Sequence, residues 1–326
     1  MLLLSKQDID KVFSMKDSIE AVKKAFAMFS QGKIEVPLRT CILAENGGAF
    51  LTMPSYSEEL GFCVKNCNNF SQNRAKGLPT LPTQILLSDK DTGVIVALLD
   101  GLYVTKLRTG ASSGAAFDVL AKKDCKTGAL IGTGAQAATQ LEAMITVRNL
   151  EEVKIFDIDR EGLERFVAQM AEKLGSYGTK FTAADSSDDA VEHADLLITM
   201  TPSKKPVFDG RKLKPGCTVS CVGSFRPDMQ ECSPDAVVRA SKIYFDSEEA
   251  VLSEAGDILI PLEEGLITKE KFAGDIGDVI LGNTAGREND EEIIVYETVG
   301  IGAQDLVTSK AIYDKAAANH IGTEWE

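Results

Sequence analysis

A glycine-rich segment carries the strongest chemical signal in this sequence. Residues 132–137 read GTGAQA and match the pattern G-x-G-x-x-A, after a short apolar run and before an apolar helical pattern. In that context the first glycine allows a tight turn, and the second lets the backbone approach a pyrophosphate at the N-terminus of a helix. The segment predicts a dinucleotide-binding loop built on Gly132 and Gly134. The alternative is a structural glycine turn in another type of α/β domain.

An acidic residue stands where such a loop requires one. Asp157 ends the next apolar run, about 20 residues beyond the glycine loop, where a carboxylate accepts hydrogen bonds from ribose hydroxyls. Asp157 and Asp159 would repel a 2′-phosphate, which favours NAD over NADP as the cofactor. Arg160 is adjacent and would attract that phosphate, so NADP stays open.

Three cations lie among apolar or small residues, where a solvated charge is not expected. Arg39 precedes the run TCIL, Lys65 lies in FCVKNCNN, and Arg108 lies in LRTGASSGAA. Guanidinium groups bind carboxylates in a bidentate manner, and a desolvated lysine can transfer protons. If the three converge on one pocket, they suit an α-amino or α-imino acid. Ordinary salt bridging with the acidic excess is the alternative.

The residues before position 123 predict two helices, a sheet and a third helix. Apolar residues repeat at helical spacing over residues 5–31, with Ser5 as the first cap and Ser14 or Asp17 as the cap after a break. Five short runs separated by turns predict an antiparallel sheet of five or six strands. These runs are Arg39–Leu43, Ala49–Met53, Gly61–Asn66, Thr83–Ser88 and Val94–Leu99. Residues 101–122 predict a helix rich in small residues.

The chain after Cys125 alternates between strand and helix patterns. The predicted strands are Gly128–Ile131, Val153–Asp157, Phe181–Ala183, Leu196–Met200 and Thr218–Val222, with helices after the glycine loop and at 160–174 and 187–193. This alternation is typical of an α/β protein with a parallel, doubly wound sheet covered on both faces. A last helix is predicted at 302–318, where it could pack on the first domain.

The overall composition excludes several classes of function. The 326 residues include 49 acidic and 35 basic side chains, which gives a net charge of −14. A field of that sign repels phosphate backbones and anionic lipids, so nucleic acid and membrane surfaces are not expected partners. The apolar runs are too short to span a bilayer, and the N-terminal residues lack the pattern of a signal peptide. We expect a cytoplasmic protein.

The cysteines and histidines narrow the chemistry further. Seven cysteines without framework spacing predict reduced, mostly buried thiols. Cys63 and Cys67 lack a second cysteine pair or a histidine cluster, so no metal site is expected. The two histidines, His193 and His320, lie in neighbourhoods unlike a Ser-His-Asp or Cys-His hydrolase. The chemistry must therefore use lysine, arginine, carboxylates or a cofactor.

Several segments in the same order resemble the ornithine cyclodeaminase/mu-crystallin family over nearly the full length of the chain. They are TMPSY (52–56), Lys65–Asn66, KGLPT (76–80), DTG (91–93), LRTGASS (107–113), GTGAQA (132–137), VGSFRPDMQE (222–231) and TVGIGAQD (298–305). The resemblance implies a substrate-binding and dimerisation domain formed by residues 1–122 with 300–326, and a Rossmann NAD(P)-binding domain at 123–299. It also implies a homodimer.

The resemblance further implies roles for individual residues. Arg39, Lys65 and Arg108 match the family's substrate-carboxylate and catalytic pocket, with Lys65 as the catalytic residue. The implied cofactor contacts, which include the glycine loop, are Thr80, Gly132, Gly134, Ala135, Gln136, Asp157, Thr199, Thr201, Val222, Gly223, Ser224, Thr298 and Val299.

One position departs from the family pattern. Cyclodeaminases and some alanine dehydrogenases of the family carry a catalytic aspartate in the loop after the fifth Rossmann strand. Phe225 stands at the matching position here, and Asp228 lies beyond Pro227. A cyclodeaminase needs that carboxylate for the side-chain amine of its substrate, so an aromatic residue favours the family's ketimine reductases and amino-acid dehydrogenases.

The resulting expectation is an NAD-dependent oxidoreductase, with NADP possible, that interconverts a small α-imino acid and its L-amino acid. A cyclic ketimine such as pyrroline-2-carboxylate is the first choice of substrate. The alternatives are an ornithine cyclodeaminase, an alanine-type amino-acid dehydrogenase and a non-enzymatic binder of reduced nicotinamide.

Overall fold

The computed structural model describes residues 1–37 and 39–326, with the side chain of Arg74 left out. Up to residue 120 the elements are β1 (Leu2–Leu4), α1 (Lys6–Val12), α2 (Met15–Ser30), β2 (Thr40–Leu43), β3 (Ala49–Ser57), β4 (Gly61–Cys67), β5 (Thr83–Ser88), β6 (Ile95–Asp100) and α3 (Gly101–Leu120). The next are β7 (Thr127–Ile131), α4 (Ala137–Val147), β8 (Glu152–Phe156), α5 (Arg160–Lys173), β9 (Lys180–Ala183), α6 (Ser187–Val191), β10 (Leu196–Thr199) and β11 (Thr218–Cys221). The last are α7 (Pro234–Arg239), β12 (Lys242–Phe245), α8 (Glu248–Glu254), α9 (Gly256–Glu263), β13 (Phe272–Asp275), α10 (Ile276–Leu281), β14 (Ile294–Glu297), α11 (Gly302–Ala318) and β15 (Thr323–Glu324).

The chain forms two compact units. The first contains residues 1–108 and 301–326, and the second contains residues 109–300. The division therefore falls inside α3, whereas the sequence expectation places it after residue 122. None of the helices in the described part of the chain has the length and apolar character needed to cross a membrane.

Two serines cap the first two helices, α1 and α2. The Ser5 hydroxyl accepts a hydrogen bond from the Asp8 amide at the start of α1, and the Ser14 hydroxyl accepts one from the Asp17 amide at the start of α2. In both cases the aspartate carboxylate accepts a hydrogen bond from the serine amide, which completes a capping box. The predicted break is confirmed, with Ser14 as the cap and Asp17 as its partner.

The sheet of the first unit has seven strands in the order β15-β1-β6-β5-β4-β3-β2. The five predicted strands form an antiparallel meander from β2 to β6. The expectation of five or six antiparallel strands is wrong in one respect, because β1 is added parallel to β6 and β15 then pairs with β1. Both added strands are short and pair with strands distant in sequence, so no local pattern predicts them.

The two faces of this sheet differ in burial. Lys65, Ile85 and Leu99 share one face by their strand register and are fully buried, and α11 packs on β3, β4 and β5. On the opposite face Phe50, Tyr56 and other apolar side chains remain partly exposed. Successive side chains of a strand point to opposite faces, so one sheet provides both a buried site for Lys65 and an apolar surface.

The second unit is an eight-stranded parallel sheet in the order β13-β12-β14-β11-β10-β7-β8-β9. Ala129 and Ile131 of β7 contribute to one apolar core, and Leu130 between them contributes to another. Both faces are therefore covered, as a doubly wound Rossmann sheet requires. The predicted α/β class is confirmed, although the sequence patterns did not predict strands β12, β13 and β14.

Candidate active site

Lys65 and Arg108 meet at a buried carboxylate in the first unit. The Lys65 Nζ atom donates to Asp305 Oδ2 at 2.6 Å, and Arg108 Nε donates to Asp305 Oδ1 at 3.1 Å. Arg108 Nη1 also donates to Gln304 Oε1 at 3.3 Å. Strand β4 positions Lys65, helix α3 positions Arg108, and the first turn of α11 positions the two acceptors. These side chains form the buried cation cluster of Lys65, Arg108, Asp305 and Gln304.

The charges of the cation cluster do not cancel. Two cations face one carboxylate, and Lys65 and Asp305 are 1% and 0% exposed. Burial and the neighbouring Arg108 charge lower the pKa of Lys65 below its usual 10.5, whereas Asp305 acts in the opposite direction. Because an uncompensated buried charge is costly, the cluster favours binding of one further anion. In the described part of the chain, Arg108 Nη2 holds no hydrogen bond, so the guanidinium keeps a donor for that anion.

The other two predicted residues of the first unit lie outside helices and strands. Arg39 is half-buried and directly precedes β2. Thr80 is exposed in the segment before β5, and its carbonyl accepts a hydrogen bond from the Phe70 amide at 2.8 Å. Their assignment to substrate and cofactor stays a prediction.

Sequence reasoning did not single out Asp305 and Gln304. Both lie within TVGIGAQD, a segment that carried the family resemblance without suggesting roles for these residues. Gln304 Oε1 also accepts the Ile301 amide at 3.0 Å, so the side chain is anchored at the start of α11. The available signal was an acidic side chain directly before the apolar pair Leu306 and Val307 at the start of the helix, because a buried acid requires a partner.

The predicted dinucleotide loop of the second unit has the geometry that the motif requires. Gly132 has φ of +102°, and a Cβ atom there would lie 2.6 Å from the Met200 carbonyl oxygen. A Cβ atom at Gly134 would meet no other atom within 4 Å, so that position is open. No side chain caps the start of α4, and Gln136 Oε1 is buried without a partner in the described chain. The uncapped helix N-terminus beside open backbone fits a pyrophosphate.

Asp157 joins the glycine loop to the next loop. Its Oδ2 atom accepts from the Thr133 amide at 2.7 Å and hydroxyl at 2.9 Å, and Oδ1 accepts from the Asp159 amide at 3.0 Å. Burial opposes its ionisation, but these hydrogen bonds lower the pKa of Asp157 below its ordinary value. Arg160 is engaged with Glu164 and the Ala184 carbonyl. The charge that would attract a 2′-phosphate is therefore held elsewhere, which favours NAD.

The remaining predicted cofactor residues lie at the carboxyl ends of parallel strands β10, β11 and β14. They are Thr199, Thr201, Val222, Gly223, Ser224, Thr298 and Val299. Ligands of open parallel sheets bind at this edge, where the strand order reverses next to β7. Three of the side chains are already engaged: Ser224 donates to the Met229 carbonyl, Thr298 donates to Asp246, and the Thr201 hydroxyl donates to Glu231. The contacts of these residues with a cofactor stay a prediction.

The loop after β11 presents an aromatic side chain and no free acid. Phe225 is half exposed. Asp228 pairs with Lys204 at 2.6 Å and with Arg226 at 3.1 Å, and Lys204 lowers its pKa. A carboxylate paired with two cations is a weak base, so Asp228 is a poor substitute for the aspartate that Phe225 replaces.

One group of potential metal ligands occurs in the described chain. Cys221, Asp257 and Glu297 are buried, and their ligand atoms lie within 4.8 Å of one another. Burial raises the pKa of both carboxyl groups, and the charge of Glu231 acts in the same direction on Asp257, as does the charge of Asp257 on Glu297. All seven cysteines are free, and five of them are buried, as predicted.

Comparisons with known proteins identify the family of this chain. The model of the ornithine cyclodeaminase/mu-crystallin family matches residues 1–320. The Δ1-pyrroline-2-carboxylate reductase of Bacillus cereus is 36% identical over 328 residues, which covers 100% of both chains.

Two solved structures are similar over the whole chain. The Δ1-pyrroline-2-carboxylate reductase of Thermococcus litoralis, in complex with NADH and L-proline, is 39% identical with a TM-score of 0.93 and 100% coverage of both chains. An archaeal alanine dehydrogenase dimer with bound NAD is 31% identical with a TM-score of 0.91, covering 100% of this chain and 99% of that one. On its sequence and its fold, this chain belongs to the ornithine cyclodeaminase/mu-crystallin family.

Proposed function

We propose that this chain is an NAD-dependent oxidoreductase that interconverts a small α-imino acid and its L-amino acid, with Δ1-pyrroline-2-carboxylate and L-proline as the leading pair. The observation that carries the proposal is the buried cation cluster, which has one more positive charge than its own carboxylate neutralises. A substrate carboxylate supplies the missing negative charge. The relatives named for pyrroline-2-carboxylate reduction support the choice of substrate.

The first unit binds the substrate in this proposal. Arg108 holds the carboxylate through the part of its guanidinium that neither Asp305 nor Gln304 uses, and Arg39 provides a second cation. Asp305 holds Lys65 and Arg108 in fixed positions from the other side. Fixed donors that need no rearrangement are what orientation of a reacting group requires.

Lys65 supplies the proton of the reduction. A bound nicotinamide would supply a hydride for the imine carbon, and the Lys65 ammonium would donate one proton to the imine nitrogen. Imino acid, NADH and one proton thus give amino acid and NAD⁺. Burial and Arg108 lower the pKa of Lys65, which makes its proton easier to release at neutral pH.

The second unit binds NAD in this proposal. The glycine loop and the uncapped start of α4 bind the pyrophosphate, and the Asp157 carboxylate accepts hydrogen bonds from the ribose hydroxyls. Thr80 of the first unit and the residues at the ends of β10, β11 and β14 complete the proposed cofactor contacts. The two solved structures with bound NADH or NAD support this assignment.

A homodimer is the proposed assembly. The exposed face of the first sheet carries neighbouring apolar side chains, because the strand register places Tyr56 beside Phe62 and Val64 beside Leu86. Tyr56 and Phe62 are 45% and 39% exposed. The archaeal alanine dehydrogenase, which has the same fold, is a dimer. An apolar surface of this kind is typical of an interface between subunits.

One assay separates the candidate functions. NADH oxidation is followed with Δ1-pyrroline-2-carboxylate, with pyruvate plus ammonia and with further linear imino acids, and L-ornithine is tested for release of proline and ammonia. We expect stoichiometric NADH consumption with the cyclic ketimine and no proline from ornithine, because cyclisation needs a base beside the side-chain amine. A preference for pyruvate plus ammonia would support the alanine dehydrogenase alternative. Proline from ornithine, or NADH binding without turnover of any substrate, would contradict the proposal.

A further inference from the structure

A buried glutamate outside the predicted site connects two of the loops that carry cofactor residues. Glu231 Oε1 accepts the Gly223 amide at 2.6 Å and the Val222 amide at 3.3 Å. Its Oε2 accepts the Thr201 amide at 2.5 Å and the Thr201 hydroxyl at 2.9 Å. A single side chain therefore holds the loop after β10 and the loop after β11.

These loops touch so closely that their spacing is fixed. A Cβ atom at Gly223 would lie 2.3 Å from the Thr201 carbonyl oxygen and 2.7 Å from Glu231 Oε1. Glycine is thus required where the two backbones meet. Thr201, Val222 and Gly223 are all proposed cofactor contacts, so the position of these contacts depends on the glutamate.

Glu231 acts as an anion in this arrangement. Four donors point at two oxygens, and each oxygen uses both of its lone pairs, so no position is left for a proton. Burial raises the pKa of Glu231, and the hydrogen bonds from the Thr201 amide, the Gly223 amide and the Thr201 hydroxyl act in the opposite direction. The neighbouring Asp257 is fixed to the Glu231 and Cys232 amides at 2.7 and 2.9 Å, and burial raises its pKa well above the usual value.

We propose that Glu231 is a positioning residue for NADH, which sets the loops after β10 and β11 at the spacing that the cofactor needs. The proposal rests on the proposed function, because it takes these loops as cofactor contacts. Glu231 itself touches neither substrate nor cofactor in this proposal. It acts through the backbone of Thr201 and Gly223.

The variant Glu231→Gln tests the proposal because it keeps the size of the side chain. The side-chain NH₂ group of glutamine cannot accept hydrogen bonds, so it would face either the two Thr201 donors or the Val222 and Gly223 amides. One of the two loops would then lose its acceptor. We expect the Kd for NADH, measured by fluorescence titration, to rise tenfold or more. The KM for the imino acid at saturating NADH should stay within twofold, because the cation cluster lies in the other unit. A Kd within twofold of the unmodified protein would overturn the proposal.

A matched variant separates positioning from general loss of stability. Leu150 is 4% exposed and lies two residues before β8, at the amino-terminal edge of the parallel sheet and opposite the cofactor loops. Leu150→Ala should lower the Tm by creating a cavity but leave the NADH Kd unchanged. An equal rise of the Kd in Leu150→Ala and Glu231→Gln would mean that stability alone explains the effect, which contradicts positioning.

Hydrogen exchange in the unmodified protein without cofactor covers the case in which Glu231→Gln fails to fold. The Thr201 and Gly223 amides should exchange as slowly as those of β11, although both lie in loops, because Glu231 accepts them. Exchange at the rate of an exposed loop would overturn the proposal. This measurement requires no turnover or NADH binding, so its failure is distinct from a failure of the proposed function.

Discussion

At the scale of single residues, the buried cation cluster is the proposed binding site of the substrate carboxylate. Arg108 uses two different nitrogens for Asp305 and Gln304, at 3.1 and 3.3 Å. A lysine at this position keeps the charge but loses the planar arrangement of donors. The identity of the cation, and not only its charge, should therefore matter for the substrate.

Arg108→Lys should raise the substrate KM or lower kcat by roughly tenfold or more, because one ammonium cannot satisfy Asp305, Gln304 and a carboxylate together. NADH affinity should barely change. Steady-state kinetics and a cofactor titration measure both quantities. Lys106→Gln, which removes a cation from the same helix outside the cluster, is the matched control. Intact turnover in Arg108→Lys would make Arg108 a structural residue only.

The pH dependence of the reduction should report the Lys65–Asp305 pair. The pKa of Lys65 lies below 10.5, and the charge of Asp305 keeps it from falling further. Reduction needs the protonated lysine, so kcat should decline as the pH rises through that pKa. In Asp305→Asn the decline should move to lower pH, because the stabilising charge is gone. Asp314→Asn, in an exposed part of the same helix, should leave the profile unchanged. A shift of the decline to higher pH would contradict proton donation by Lys65.

The proposed role of Asp157 predicts which cofactor binds more tightly. NADH should bind more tightly than NADPH, because the Asp157 carboxylate repels a 2′-phosphate and Arg160 is held by Glu164. Asp157→Asn is nearly isosteric and should reduce the ratio of the NADPH and NADH dissociation constants by about tenfold or more. Glu161→Gln removes an exposed charge nearby and serves as the control. Equal dissociation constants in the unmodified protein would point to Arg160 as the dominant group.

At the scale of elements, the helix beginnings could be read from the sequence because a cap is a local feature. Ser14 precedes α2, which packs on α11, the helix that carries Asp305. Ser14→Ala should lower the free energy of unfolding by about 1 kcal/mol, because the amide at the helix start loses its acceptor. Chemical denaturation measures this loss. Ser14→Asn should retain most of the stability, and equal losses in the two variants would show that the hydroxyl contact is not what matters.

Local sequence patterns predicted some elements of the fold, whereas the elements that the sequence did not predict form only by pairing with strands distant in sequence. The glycine loop, Asp157 and the strands β7 to β11 have local patterns, so their positions followed from spacing. Strands β1, β13 and β15 are short and take their place only through pairing with remote strands. Asp305 lies 240 residues from Lys65 in sequence, so no local pattern could indicate that they touch. The site was predictable where it follows a motif and hidden where it depends on tertiary packing.

At the scale of the whole molecule, the exposed sheet face of the first unit predicts the assembly. A lysine on this face would bury a charge at the proposed interface, which is costly without a partner. Phe62→Lys should therefore convert a dimer into monomers at micromolar concentration, as measured by sedimentation equilibrium over a range of concentrations. Because Phe62 is 39% exposed, the substitution should leave the folded subunit intact. Tyr177→Lys, at a comparably exposed aromatic residue of the second unit, should remain dimeric. A monomeric unmodified protein, or a Phe62→Lys dimer of unchanged affinity, would show that this apolar face does not join two subunits.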